Sequence, residues 1–312
     1  MTAREIVMLG TASMSPTRHR NHNGYALRWD DRLVFFDPGE GFQRQCTIAG
    51  IAIARADAVC LTHFHGDHCL GLPGLIARRG ADNVPDPLDV YFPADGIAYY
   101  DKLQSCTASA YHPPLTSHPI ETPGVVGTIG DLTLTALPLR HRVTAFGYRL
   151  QEPDSLSFDA DELAARQITG PDVGRLRRDG EIDSPTGRVT LDEVSVPRPG
   201  QSMALVMDTA VCDSIIDLAR DVDLLVIEST FVKEDADLAE QYRHLTADQA
   251  GRMAALAGAR RVVLTHFSQR YGHGDPTGRR SGAQRFVEEA AVHHPDVHGA
   301  NDFDVIAVPP RG

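Results

Sequence analysis

The chain has 312 residues, 42% of them hydrophobic, and a formal net charge of −12 at pH 7. This acidic balance argues against a general affinity for nucleic acid, because lysine and arginine supply most binding to phosphate; any nucleic-acid site must be a local basic patch. No apolar run reaches the ~18 residues of a membrane span, and the start lacks the layout of a secretion signal. The five cysteines lack CxxC spacing, so we expect a cytoplasmic protein without a disulfide framework.

Short apolar runs rich in β-branched residues alternate with longer segments of helical periodicity, which predicts a single α/β domain over residues 1–312. Residues 151–201 interrupt this alternation, because they are rich in charge, Gly and Pro, and they predict an inserted arm. In chain order, strands are predicted at 5–9, 33–36, 58–62, 132–136, 204–207, 224–227, 262–265 and 303–308. Helices are predicted at 69–79, 213–219, 247–257 and 284–291.

A dense group of metal-ligand side chains lies between the predicted strand 58–62 and the helix that follows it. His63 and His65 are two residues apart in extended chain, so they project to one side and can share one metal ion. The chain then turns, which places Asp67 and His68 in the first helical turn, where they can meet a second ion. Imidazole nitrogen and carboxylate oxygen suit zinc, so this run predicts a metal site.

Three further candidates follow other predicted strands. His141, Asp208 and His266 each lie just beyond the end of an apolar run. A single histidine or aspartate is more often a surface residue or a satisfied hydrogen-bond partner than a ligand. The common placement at strand ends nevertheless favours one shared edge of a sandwich.

Several segments, in order and spread over most of the chain, resemble the ribonuclease Z family of the metallo-β-lactamase superfamily, which are transfer-RNA 3′-processing endonucleases. The resemblance implies an αββα sandwich with an inserted arm and a homodimer that cleaves precursor tRNA. It implies a 3′-hydroxyl on the tRNA and a 5′-phosphate on the trailer. The matching segments are LGTASMSPTRHRNHNGYALR, FDPGEGFQRQ, LTHFHGDHCLGLPGL, LRHRVTAFGYRL, VMDTAVCD, LLVIESTFVKED, HLTADQA and LTHFSQRY.

The resemblance also implies two zinc ions per subunit, with manganese as a substitute. Asp208 would bridge the ions, and Asp67 would also accept a proton. His244 would assist the leaving group, held by Glu228. From the residues alone, His244 is equally a surface histidine before a capping box. Glu228, at the end of an apolar strand, is expected to have a partner such as His244, and the alternative is an arginine. One zinc would be bound by His63, His65 and His141, and the other by Asp67, His68 and His266.

A cluster of arginines in the arm resembles the Gly/Pro-rich substrate-binding arm of the family. It contains Arg175, Arg177 and Arg178, close to Gly170 and Pro171. The alternative for this cluster is a solvated charged loop. Thr17, Arg18, Arg20 and Arg270 are further candidates for RNA contacts, and equally candidates for ordinary surface positions or internal ion pairs.

Two other functions are compatible with the sequence. The same fold and metals suit the hydrolysis of a small ester or phosphodiester, which the acidic charge favours, because fold and metal site do not fix the substrate. An RNA-binding or structural protein would instead hold its metals in closed four-ligand sites.

Overall fold

The computed structural model describes residues 3–108, 113–271 and 283–311. The chain divides into two compact units, one formed by residues 1–151 and 202–312 and the other by residues 152–201. Within the described ranges, no helix has both the length and the apolar character needed to cross a membrane.

The first half of the larger unit forms one sheet and the helices that cover it. Its strands alternate between residues that face the sandwich core and residues that face the helices, as a buried sheet requires. The strands are β1 (Arg4–Gly10), β2 (Gly24–Trp29), β3 (Arg32–Phe36), β4 (Ala58–Cys60), β5 (Leu88–Pro93) and β6 (Leu115–Ile120). The helices are α1 (Phe42–Ile48), α2 (Gly66–Cys69), α3 (Leu72–Ala81) and α4 (Ile97–Ser105).

The second sheet begins with β7 (Gly124–Ile129), β8 (Leu132–Leu139) and β9 (Ala145–Gln151). The smaller unit follows, with β10 (Ser155–Phe158), α5 (Ala160–Ala165), α6 (Pro171–Asp179), β11 (Glu181–Ser184), β12 (Gly187–Thr190) and β13 (Ser195–Arg198). The chain then returns as β14 (Ser202–Val206), α7 (Asp213–Ala219), β15 (Leu224–Glu228), α8 (Ala236–Tyr242), α9 (Ala247–Ala257), β16 (Val262–Thr265), α10 (Ala283–Ala290), β17 (Val297–Gly299) and β18 (Val305–Ala307).

Three apolar layers hold the larger unit together. The central layer lies between the two seven-stranded sheets, whose strand orders are β18-β1-β2-β3-β4-β5-β6 and β17-β16-β15-β14-β9-β8-β7. One outer layer packs α1 and α3 on the first sheet, and the other packs α7, α9 and α10 on the second. The predicted αββα sandwich is therefore confirmed.

Two predicted elements differ from the structure. The helix predicted at 69–79 is two helices, α2 and α3, which meet at Gly71. A Cβ at Gly71 would lie 2.1 Å from the carbonyl oxygen of Gly39, so this position requires glycine. The predicted core strand 303–308 is the shorter edge strand β18, whose Val305 side chain is 56% exposed. An apolar run at a sheet edge has the same sequence pattern as one in the core.

A buried arginine ties α3 to the loops beneath it. Arg79 is completely buried, and its guanidinium donates to four backbone carbonyls at distances of 2.8 to 3.3 Å. One of these carbonyls, that of Ile53, also accepts from the backbone N–H of Ala56 at 3.1 Å. Arg79 therefore offsets the desolvation cost mainly at the other carbonyls. The four carbonyls belong to Ile53, Ala54, Ala56 and Asp86.

We expect Arg79→Met to lower the free energy of unfolding by roughly 2–4 kcal/mol, because it leaves buried carbonyl oxygens unpaired. Chemical denaturation followed by circular dichroism measures the change. Arg78→Met is the matched control, since Arg78 is exposed and pairs with Asp82 at the surface, where the loss of an ion pair has little effect on stability. Equal losses in the two variants would contradict the role given to Arg79.

The smaller unit has its own apolar centre, which its sequence pattern did not predict. Its members come from short elements separated by turns, so no run is long enough to show a period. The unit contains eleven acidic and six basic residues and is therefore acidic, like the whole chain. Its buried residues are Ile168, Leu176, Val189 and Val194.

Candidate metal centre

The candidate site residues lie at the carboxyl ends of core strands, where short connections begin. His63 follows β4, and His141 follows β8. Asp208 follows β14, and His266 follows β16 directly. The φ angles of Asp208 and His266 are +24° and +62°, in the left-handed region that non-glycine residues rarely adopt. Strained backbone at two converging strand ends is typical of a functional site.

Three histidines and one aspartate form the first group of converging atoms. Candidate ligand atoms of His63, His65, His141 and Asp208 all lie within 4.8 Å of one another. His63 Nε2 is 2.9 Å from His65 Nδ1, and His141 Nε2 is 3.4 Å from the same atom. Three ring nitrogens and a carboxylate oxygen at this spacing match the donor set of a zinc ion.

A second group lies on the other side of the same aspartate. It consists of Asp67, His68 and His266, whose candidate ligand atoms also lie within 4.8 Å of one another. Asp208 Oδ1 is 3.3 Å from His68 Nε2 and 3.1 Å from His266 Nε2. The other oxygen of Asp208, Oδ2, is 3.6 Å from His63 Nε2. One carboxylate therefore faces both groups, as a residue that bridges two ions must.

The histidines are oriented by partners on their far side. His63 Nδ1 lies 3.0 Å from Thr62 Oγ1, which donates to Asp37. His266 Nδ1 lies 2.8 Å from Thr230 Oγ1, which donates to Glu228. In each case the Nδ1–H donates outward to a threonine hydroxyl and the Nε2 lone pair points at the cluster, which is how ligating histidines are held.

His68 and His141 follow the same rule, whereas His65 turns its Nδ1 toward the cluster, 2.9 Å from His63 Nε2. His68 Nδ1 donates to Asp37 Oδ2 at 2.8 Å, and His141 Nδ1 donates to the backbone oxygen of Arg243 at 3.1 Å. The buried atoms Asp208 Oδ1 and His266 Nε2 have no hydrogen-bond partner among the described residues. Buried polar atoms normally find one, so this donor set fits a cation.

Burial and neighbouring charges set the protonation of the cluster. Burial lowers the pKa of His63, His65 and His141, which favours the neutral imidazole that binds a metal. Burial alone would raise the pKa of Asp208, but His266, His68 and other histidines outweigh it and hold the pKa well below its usual range. The carboxylate is therefore ionised in the interior, where it attracts a cation.

A histidine and a glutamate form a pair beside the cluster. His244 Nδ1 donates to Glu228 Oε1 at 2.9 Å, and Glu228 is completely buried. Glu228 also accepts from the backbone N–H of Thr209 at 2.8 Å. Burial opposes protonation of His244, but Glu228 and Asp208 outweigh it and raise its pKa to about 9. The ring is thus held as an imidazolium, with Nε2 3.9 Å from Asp208 Oδ2.

The predicted site residues divide into those that the structure brings together and those that it does not. All seven candidate ligands, with His244 and Glu228, converge at one place. The partner of Glu228 is the histidine and not an arginine. The capping box that begins α9 is present at Thr246 and Gln249. The arginines of the arm lie in the other compact unit, where Arg175 pairs with Asp172 and Arg178 with Asp179.

Of the other candidate RNA contacts, one is an internal structural group. Arg20 donates to Thr11 Oγ1 at 2.6 Å and to the backbone oxygen of Ala300 at 2.7 Å, and its guanidinium lies over the Phe267 ring. Arg18 and Arg270 are exposed. The alternative of internal contacts therefore holds for Arg20.

Four residues that the sequence did not single out support the cluster: Asn23, Asp37, Thr62 and Thr230. Asp37 is completely buried, has a φ of +44°, and accepts from both Thr62 and His68. Its position directly after the apolar run RLVFF is the signal that was available, because the same strand-end rule selected His141 and Asp208.

We expect Asp37→Ala to weaken metal binding by roughly 10–100-fold, because it releases His68 directly and His63 through Thr62. Titration with zinc in a competitive chelator assay measures the affinity. Asp223→Ala is the matched control, because Asp223 is equally buried but lies at the opposite end of β15, where it accepts from Ser202, Arg260 and Arg311. The control loses stability and keeps its zinc affinity; a similar loss of affinity in both would contradict the assignment.

The chain resembles known proteins both in sequence and in fold. A β-lactamase superfamily domain matches residues 32–176. A ribonuclease Z from Nocardia farcinica is 50% identical over 314 residues, which cover 100% of this chain and 100% of that protein. A ribonuclease Z from Salinispora arenicola is 48% identical and covers 100% of this chain and 98% of that protein. The crystal structure of human tRNase Z, short form, superimposes with a TM-score of 0.66 at 23% identity, covering 98% and 100% of the two chains.

Proposed function

Because the chain belongs to the ribonuclease Z family of the β-lactamase superfamily, we propose that it is a zinc-dependent endoribonuclease that removes the 3′ trailer from precursor tRNA. The observation that carries the proposal is the position of Asp208, whose two oxygens face two separate groups of histidine and aspartate ligands. The near-complete coverage of full-length ribonuclease Z relatives supports the choice of substrate.

The proposed ligands of the two ions are the two groups of side chains described above. Asp208 would serve both ions, one with each oxygen. When bound, two zinc ions activate water and offset the charge that grows on the phosphate oxygens during attack; manganese is a possible substitute. His63, His65 and His141 would hold one ion, and Asp67, His68 and His266 the other.

The chain's own residues supply the proton transfers. Asp67 takes a proton from the attacking water; its Oδ2 accepts from the backbone N–H of Met14 at 2.8 Å, which fixes the carboxylate. His244 donates a proton to the departing ribose 3′-oxygen, and Glu228 keeps it protonated and aligned. The products are a 3′-hydroxyl on the tRNA and a 5′-phosphate on the trailer.

The assignment to precursor tRNA is tested by comparing two substrates. Purified, zinc-loaded protein is incubated with a 3′-extended precursor tRNA and, separately, with bis-p-nitrophenyl phosphate. We expect kcat/KM to be far higher for the precursor. Hydrolysis of the small phosphodiester with an intact precursor would overturn the proposal and support a small-phosphodiester hydrolase. Bound metal with no hydrolysis of either substrate would support a binding or structural protein.

The proposal extends to a homodimer in the cytoplasm whose arm binds the tRNA. All five cysteines are free, which fits a reducing compartment. In the arm, Gly170 and Pro171 begin α6, which presents exposed arginines. Because two of them pair with neighbouring acids and the unit is acidic, we assign the arm a modest share of the affinity.

We expect the combined change of Arg175, Arg177 and Arg178 to Ala to raise KM for precursor tRNA by about tenfold or less, with little change in kcat, because phosphate contacts position a substrate without taking part in the reaction. Steady-state kinetics at two salt concentrations measures it. Arg188→Ala, also exposed on the arm but on β12, is the control. An unchanged KM in the triple variant would show that these arm arginines do not bind the substrate.

A further inference from the structure

A stack of side chains lies beside the candidate metal centre and extends to the surface. Phe231 and Tyr242 have nearly parallel rings, 15° apart, with centroids separated by 6.3 Å. The guanidinium carbon of Arg142 lies 4.8 Å from the centroid of the Tyr242 ring. Phe231 is buried, whereas Tyr242 and Arg142 are exposed. The column Phe231–Tyr242–Arg142 therefore begins in the core and ends in a planar cation at the surface; we call it the Arg142 stack.

The members of the Arg142 stack are close to residues of the proposed site, in the chain or in space. Arg142 follows His141, a proposed ligand, in the chain, and Tyr242 precedes His244, the proposed proton donor, by two residues. The Phe231 ring also lies against His244, with centroids 6.1 Å apart. The inner end of the stack therefore lies beside the proposed proton donor, and its outer end lies at the surface.

The charge of Arg142 is available to a ligand. Its Nη2 donates to the backbone oxygen of Gln241 at 3.0 Å. The nearby carboxylate of Glu240 pairs with Arg140, and within the described residues no ion pair of Arg142 is found. The arm arginines Arg175 and Arg178 do have acidic partners. In a chain with a net charge of −12, an arginine without an acidic partner beside the active site is the local basic feature that nucleic-acid binding requires.

We propose that the Arg142 stack binds a single-stranded nucleotide next to the scissile phosphate, with the base stacked on the guanidinium plane and the neighbouring phosphate on its free N–H groups. Single-stranded RNA is recognised by bases stacked on aromatic rings and arginine planes, and stacking tolerates any base. The stack thereby positions the substrate at the cut without reading its sequence. The inference rests on the proposed ribonuclease function and adds residues that hold the substrate.

The test compares four variants by cleavage of precursor tRNA and by fluorescence anisotropy with a short single-stranded RNA. Arg142→Ala and Tyr242→Ala should each lower kcat/KM for the precursor by about tenfold and weaken RNA binding by a similar factor. Tyr242→Phe keeps the ring and should retain most of the kcat/KM for the precursor and most of the RNA binding. Arg220→Ala, exposed and paired with Asp217 at the opposite end of the strands, is the control.

The outcomes separate the inference from the proposed function. The losses with bis-p-nitrophenyl phosphate, which has no nucleobase, should be at least about fivefold smaller than those with the precursor. Equal losses of kcat/KM on both substrates, or unchanged RNA binding in Arg142→Ala, would overturn the proposal that the stack binds a nucleotide. Wild-type protein that binds the RNA more tightly than Arg142→Ala but cuts no precursor would refute the ribonuclease proposal and leave the stack standing.

Discussion

Asp208→Asn is expected to reduce cleavage of precursor tRNA by about a thousandfold or more and to lower the bound zinc below two ions per chain. Asp208 is the residue whose oxygens face both ligand groups, and an amide supplies one oxygen without the charge. A metal ion contributes several kcal/mol to stabilising the transition state, and each ~1.4 kcal/mol is a factor of ten in rate. Metal analysis by mass spectrometry and single-turnover cleavage measure the two effects.

The control for this change is Asp213→Asn, which alters an exposed aspartate in the first turn of α7. It should keep two ions and full activity. His65→Ala provides a second variant in case Asp208→Asn fails to fold, because His65 is only partly buried. Wild-type turnover with depleted metal and normal folding in either site variant would show that the cluster is not catalytic.

His244→Ala is expected to lower kcat for precursor tRNA by roughly 10²–10⁴-fold while the two ions stay bound, because it removes the group that protonates the leaving oxygen. The loss should depend on the leaving group. The ribose 3′-oxygen needs a proton to depart, whereas p-nitrophenolate departs without one, so hydrolysis of bis-p-nitrophenyl phosphate should fall far less. Glu228→Gln should give a smaller loss in the same direction, since the amide keeps a partner for His244 but not its charge.

His293→Ala is a suitable control for the loss of a paired histidine. His293 Nε2 is 3.1 Å from Asp248 Oδ1, and His293 lies 27 residues after His266, the last candidate ligand in the chain. Its removal should leave both substrates unaffected. Equal losses of the two substrates in His244→Ala would argue that His244 acts through the ligands and is not a proton donor.

The sequence predicted that the candidate ligands converge because of a physical rule that acts locally. Side chains just after buried strands lie at one sheet edge, so His141, Asp208 and His266 were found by their distance from apolar runs. The His63–His68 run needed only the alternation of a strand and the start of a helix. The α/β layout followed from the same alternation of elements, whereas the αββα sandwich was implied by the resemblance to the family.

Other parts of the site depend on contacts that sequence spacing does not encode. Asp37 serves His68 from 31 residues away, and Thr230 serves His266 from 36 residues away. Threonine and aspartate are common in loops, so nothing in their neighbourhoods marks them as partners of a particular histidine. The Arg142 stack joins residues a hundred positions apart for the same reason. Such tertiary pairs become visible only when the strand ends are placed side by side.

The proposed cleavage of precursor tRNA is tested most directly by mapping the ends of the products. Zinc-loaded protein is incubated with a precursor tRNA carrying a 3′ trailer, and both fragments are analysed. The proposed mechanism predicts one cut at the trailer, with a 3′-hydroxyl on the tRNA and a 5′-phosphate on the trailer. This cut should be lost on chelation and in Asp208→Asn. An uncut precursor, or a 2′,3′-cyclic phosphate on the tRNA fragment, would contradict it, since the latter requires attack by the ribose 2′-hydroxyl instead of water.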